Sequence, residues 1–161
     1  MKLFIRRETS GGTAVFGVFD ELGYLKYTVE SSAEKRKQRM LILDSKKRPV
    51  SEILHKQFVL DYYTIRCGSR LYVLVPYCKE CFSFAIYGST YRFGGNISSG
   101  EFSLFDVDKS PVMTQKKCWT RFGEGYELEL YLANQEHFAL SVALCADLYL
   151  SASQKDPVLS D

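Results

Sequence analysis

Proline is scarce in this chain of 161 residues, with four, and histidine is scarcer, with two. So few prolines leave room for many uninterrupted strands. Neither histidine sits in a recognisable nucleophile motif, so a non-enzymatic protein is expected. The formal net charge of +2 is too near neutral to mark a nucleic-acid partner by itself. The basic runs also lack the interleaved aromatics that stack on bases, and no DNA or RNA partner is expected. Gly94-Gly95-Asn96 and Gly123-Glu124-Gly125 are not followed by a Lys-Ser/Thr pair opening a helix. They are therefore not phosphate loops, and bulges or barrel corners suit them better. The N-terminus has no apolar stretch long enough for a signal peptide. With five cysteines, an odd number, the chain reads as a cytoplasmic protein with reduced thiols.

Cys78-Lys79-Glu80-Cys81 has the spacing of half a zinc site. Cys67, Cys118, His55 or His137 could complete it only if folding brought them together. Turn and core thiols are the plainer reading, and neither a metal nor another cofactor is expected.

What the chain has in abundance is aromatic and β-branched sequence, with eleven Tyr and eleven Phe. Strands are expected at 2–8, 13–19, 24–29, 40–43, 50–55, 58–66, 70–76, 81–87, 91–97, 101–107, 112–119 and 126–132. The last alternates Tyr126, Leu128, Leu130 and Leu132 with Glu127, Glu129 and Tyr131, a period of two with one buried face. A charged edge over 34–39 leads into the fourth strand. Sequential hairpins of about twelve strands favour an antiparallel meander curling into a barrel, which removes sheet edges.

One long apolar run, 138–152, reads as a helix with Asn134 as its N-cap. Its polar residues Ser141, Asp147 and Ser151 share an arc with Leu140, Leu144 and Leu148, so no face is polar. Such a helix is buried on all sides or lies in lipid. The run is shorter than the roughly 20 apolar residues of a membrane span and contains Asp147. A central core helix fits better. A barrel of about twelve strands is too wide for its own side chains to fill, and a helix roughly 10 Å across would plug it. A single domain over 1–152 with a polar tail over 153–161 follows.

An internal echo supports the hairpin reading. Met40-Leu-Ile-Leu-Asp44 runs to Pro49-Val50, Phe102-Ser-Leu-Phe-Asp106 runs to Pro111-Val112, and Phe16-Gly-Val-Phe-Asp20 turns at Gly23. In each, the Asp can accept backbone N–H bonds, and Pro or Gly can set the turn. The first strand Lys2-Leu3-Phe4-Ile5-Arg6, these strand-Asp-turn-strand units and the terminal apolar helix ending near Asp147 together resemble the LURP-one-related family. That family lies within the tubby C-terminal-like superfamily, and the resemblance covers roughly 2–152. It implies a twelve-stranded barrel around a central hydrophobic C-terminal helix.

The basic runs are Lys35-Arg36-Lys37 with Arg39, then Lys46-Lys47-Arg48, then Lys116-Lys117 with Arg121. Solvated edge charge that deters aggregation is the plain reading. The sharper one is a site for an anionic headgroup formed by Lys35, Arg36, Lys37, Arg39, Lys46, Lys47 and Arg48, the first two runs flanking one strand. The resemblance points the same way: tubby relatives bind phosphoinositides through basic residues on the barrel, and scramblase-like relatives act on lipids. The expected partner is an anionic membrane surface, which would make the protein peripheral there, or a protein. The alternatives are a small enzyme or carrier with a pocket at the barrel mouth, and a structural scaffold.

Overall fold

The computed structural model describes residues 1–8, 14–34, 36–57, 61–77, 83–120 and 123–154. Twelve strands form one sheet: β1 (Lys2–Arg7), β2 (Ala14–Phe19), β3 (Leu25–Glu34), β4 (Lys37–Leu43), β5 (Pro49–Gln57), β6 (Asp61–Cys67), β7 (Arg70–Tyr77), β8 (Ser83–Tyr87), β9 (Arg92–Asn96), β10 (Glu101–Phe105), β11 (Pro111–Thr120) and β12 (Gly123–Leu130). Among the described residues one α-helix, α1 (Glu136–Gln154), follows. Every ladder is antiparallel, in the order β8-β7-β6-β5-β4-β3-β2-β1-β12-β11-β10-β9. Pairing of β1 with β12 curls the meander into a nearly closed barrel. The remaining seam lies between β8 and β9, and across it Phe84 meets Phe93 edge-on at 5.8 Å.

Alternation along the strands selects the interior. Leu3, Ile5, Ile53, Tyr63, Ile65, Leu74 and Leu128 point inward and are fully or almost fully buried. They meet Phe138, Leu140, Val142, Leu144, Cys145 and Leu148 of α1, all buried. The helix is thus the core on which the barrel closes. Its polar residues are absorbed locally. Ser141 donates to the carbonyl of His137 at 2.7 Å and lies 2.6 Å from the Ser51 hydroxyl.

Several boundaries differ from expectation, each for a physical reason. Asn134 does not cap α1; it lies inside a 3-10 turn, Ala133–Gln135, that leads into the helix. β12 ends at Leu130, which leaves Leu132 exposed rather than facing the core. The charged stretch before Met40 is itself strand. Ser31, Ser32, Ala33 and Glu34 pair with Met40, Arg39, Gln38 and Lys37 around a tight hairpin with Arg36 at φ 60°. Charge hid that strand because its outer face is fully wet. The Gly-rich stretch 9–12, the Cys78/Cys81 pair and 155–161 lie outside the described residues.

The three echoed hairpins share one turn. The backbone N–H groups of Asp20, Asp44 and Asp106 reach the carbonyls of Tyr24, Arg48 and Ser110, each at 2.9 Å. Gly23, Lys47 and Lys109 close the turns onto the Asp carbonyls at 3.1, 2.9 and 2.9 Å. The side chains do what the sequence suggested: Asp20 Oδ1 accepts from Leu22 and Tyr24, and Asp44 Oδ1 from Lys46 and Arg48, all at 2.9 Å. Asp106 Oδ1 accepts from Val107 at 2.7 Å. Proline does not set the geometry. A left-handed residue does, Gly23 at φ 86°, Lys47 at 64° and Lys109 at 66°.

Candidate functional site

Strand parity gives the barrel two unlike ends. One carries the three Asp turns, the N-terminus and the start of α1, and can be called the turn end. The other carries the β3–β4 hairpin tip and the last turns of α1, and is the mouth. The two leading basic runs fall on opposite ends of β4, roughly 20 Å or more apart at about 3.3 Å per residue. They do not form one site. Lys35 lies outside the described residues. Arg36 and Lys37 stand at the mouth, and neither makes an ion pair among the described residues. Arg39 is spent on the outer wall, with two nitrogens on Glu52 Oε2 at 3.1 and 2.7 Å. At the turn end Arg48 pairs with Asp44 at 3.0 Å, whereas Lys46 and Lys47 make no ion pair among the described residues. Of the third run, Lys116 pairs with Glu127 at 2.9 Å and Lys117 with Glu124 at 3.3 Å. Arg121 is outside the described residues.

The turn end has a second property that composition could not reveal. Among the described residues, Met1, Leu22, Tyr24, Leu25, Leu71, Tyr87, Val107, Tyr131 and Leu132 are large, apolar, exposed and located there. The other exposed large apolar side chains, Tyr77 and Trp119, are at the mouth. Scattered exposed apolar residues need no explanation, but nine of eleven at one end, among the described residues, do. Leu22 and Val107, at 82% and 67% exposure, sit at the tips of two Asp turns. Lys109 shares the Val107 tip, and Lys46 and Lys47 stand on the third Asp turn. Turn-end acids are engaged: Glu21 accepts from the Lys2 N–H at 2.7 Å, and Asp108 from the Ser110 N–H at 3.0 Å. The backbone positions are informative too. The left-handed conformation is costly for a side-chain-bearing residue. Where the first turn uses Gly23, the other two place a lysine.

The mouth is built differently. Arg7, at the end of β1, bonds Asp147 of α1 at 2.9 Å and lies 4.7 Å over the Phe16 ring. Tyr126 donates to the other Asp147 oxygen at 3.2 Å. Burial raises the Asp147 carboxyl above its usual range, and Arg7 and Tyr126 oppose that rise. This explains the acid in an apolar helix: it is the anchor of an ion pair, not an unpaired core charge. His55 is buried, bonded to Asp61 through Nε2 and stacked on Tyr63 at 4.2 Å. Between these groups opens a cleft of about 670 Å³ lined by Arg7, Arg36, Lys37, His55 and Asp147 among others. At the far end, Tyr27 donates to Glu136 at 3.0 Å and meets His137 Nε2 at 3.1 Å. Burial, then Glu136, pushes the Tyr27 hydroxyl far above its ordinary range, so Tyr27 keeps its proton and braces the start of α1. Among the described residues no cluster of three or more metal-ligating side chains occurs. No described helix is long and apolar enough to cross a membrane.

No protein-family model matches the chain, and no curated protein matches its sequence. Among solved structures, the X-ray structure of a protein from Arabidopsis thaliana is similar to it, with a TM-score of 0.61 and 15% identity over 92% of this chain and 90% of that one. That protein is LURP-one-like. The likeness concerns the fold, a twelve-stranded barrel around a C-terminal helix, and at this identity extends no further.

Proposed function

We propose that the protein is a non-enzymatic module that docks on an anionic membrane surface through its turn end. The observation that supports this most is that nine of the eleven exposed large apolar side chains among the described residues lie at that end, beside the cations Lys46, Lys47 and Lys109, which make no ion pair among the described residues. Apolar tips would enter the interfacial layer while the lysines meet anionic headgroups. Buried apolar area and electrostatic attraction add in such binding.

Vesicle co-sedimentation tests the reading. The protein should pellet with vesicles containing phosphatidylserine and stay in solution with phosphatidylcholine alone, the difference shrinking as salt rises. Each basic side chain near such a surface contributes about 1 kcal/mol, so Lys46→Glu/Lys47→Glu/Lys109→Glu should weaken partitioning by roughly two orders of magnitude or more. Leu22→Ser/Val107→Ser should weaken it at every salt concentration. Equal binding to both vesicle types would remove the proposal.

Lys47→Gly separates function from stability. Relief of the left-handed strain should raise stability, by up to about 1 kcal/mol, while the lost cation should weaken vesicle binding. Thermal unfolding and co-sedimentation should therefore move in opposite directions. If Lys47→Gly leaves vesicle binding unchanged, the lysine at that tip does not serve the surface.

A further inference from the structure

We propose that the cleft at the mouth end of the barrel is a receptor for a small soluble oxyanion, a phosphate or a polycarboxylate, gripped by Arg7, Arg36 and Lys37. Two elements bring these cations to one cleft, the end of β1 and the β3–β4 hairpin tip, and the last turns of α1 add Asp147.

Arg7 is held ready. Asp147 takes one of its nitrogens from below, and the Phe16 ring backs its guanidinium. More than half of the Arg7 side chain remains in solvent. A guanidinium has five donors in a rigid fork, so several are left for a planar or tetrahedral oxyanion. Because protein contacts already fix its orientation, a ligand need not order it, which favours affinity. Arg36 is fixed through its backbone. Its carbonyl accepts from the Gln57 N–H at 3.1 Å, its backbone is left-handed at φ 60°, and it lines the cleft. Lys37 stands at the rim, lining both the cleft and the outer groove beside Arg39, and makes no ion pair among the described residues. Of the acids on the same cleft, Asp147 is already matched by Arg7, which leaves Glu34 against Arg36 and Lys37. The volume, about 670 Å³, falls within the range of small-molecule sites, roughly 300–1,000 Å³.

The inference does not depend on membrane docking, but the two are compatible in one orientation only. With the turn end on a bilayer the mouth faces the opposite side, so its ligand comes from solution.

Calorimetric titration of the full chain with inorganic phosphate, pyrophosphate and citrate tests it. At least one of pyrophosphate and citrate should bind. Arg36→Glu/Lys37→Glu, two exposed changes that leave the core intact, should weaken that binding tenfold or more. Arg7→Lys keeps a charge beside Asp147 but loses the fork, and should weaken it severalfold. Lys46→Glu/Lys47→Glu should leave it unchanged. Absence of heat with all three probes at millimolar concentration overturns the proposal, as does binding that the mouth variants do not alter. A parallel arm uses vesicles bearing a phosphoinositide. If the mouth variants release them and Leu22→Ser/Val107→Ser does not, the oxyanion is a lipid headgroup and the soluble source is wrong.

Discussion

A chain ending at Leu132 should not fold. Truncation there removes all of α1, whose Phe138, Ala139, Leu140, Val142, Ala143, Leu144, Cys145, Ala146 and Leu148 are buried in the barrel. Terminal helices that can be dispensed with lie on a surface and present one polar face, and this one has none. The inward side chains of twelve strands would then enclose a void, and interiors are packed to crystal density. Even Leu144→Ala should cost about 2–5 kcal/mol, a large share of the 5–15 kcal/mol that typically separates folded from unfolded chains. Leu144→Asp should cost more, because its carboxylate would be buried without a partner. Soluble expression and thermal unfolding check this. A monomeric 1–132 chain that melts cooperatively near the full-length temperature would show that the helix is not central.

The second large effect is at the mouth. Arg7→Ala strands the Asp147 carboxylate, whose side chain is 11% exposed. Breaking a buried pair by deleting one partner costs about 3–5 kcal/mol. Arg7 is more than half exposed, and solvent screening lowers the expectation to about 1–3 kcal/mol. The pH dependence has a definite sign. Burial already raises the Asp147 carboxyl above its unfolded value, so its ionisation opposes folding, and stability is lost as pH rises through the folded-state pKa. Without Arg7 that pKa rises further. The penalty of Arg7→Ala should therefore be small near pH 4 and larger at pH 7. Asp147→Asn in the Arg7→Ala background should recover most of the loss at pH 7. Denaturant midpoints of the single and double variants decide it, and equal midpoints would mean that Asp147 carries no uncompensated charge.

Much of the barrel is legible in the sequence because strand alternation and turn chemistry are local. Asp20, Asp44 and Asp106 announce their hairpins, and the absence of a polar face on α1 announces its burial. The Ser31–Glu34 stretch is not legible. Its pairing with Lys37 to Met40 follows from register, and its outer face carries nothing apolar. The site was harder still. Arg7 and Asp147 are 140 residues apart, and their meeting depends on how far α1 runs through the barrel. An acid in an apolar helix was the one signal that a cation must reach it. The apolar bias of the turn end was hidden for another reason. Leu22 and Val107 sit in separate turns, and only strand parity puts both at one end. The same parity separates Arg36 and Lys37 from Lys46 and Lys47 across the seven residues of β4.

The fluorescence of Trp119 tests the orientation of the protein on lipid. It is the chain's sole tryptophan, 83% exposed, and it stands at the mouth end of β11, opposite the proposed membrane-facing turns. Titration with phosphatidylserine-containing vesicles, under conditions where co-sedimentation shows the protein bound, should leave its emission maximum unchanged. A tryptophan placed at Leu22 in a Trp119→Phe background should shift to the blue. A blue shift of Trp119 in the natural sequence, with none at position 22, would contradict docking through the turn end and put the bilayer at the mouth.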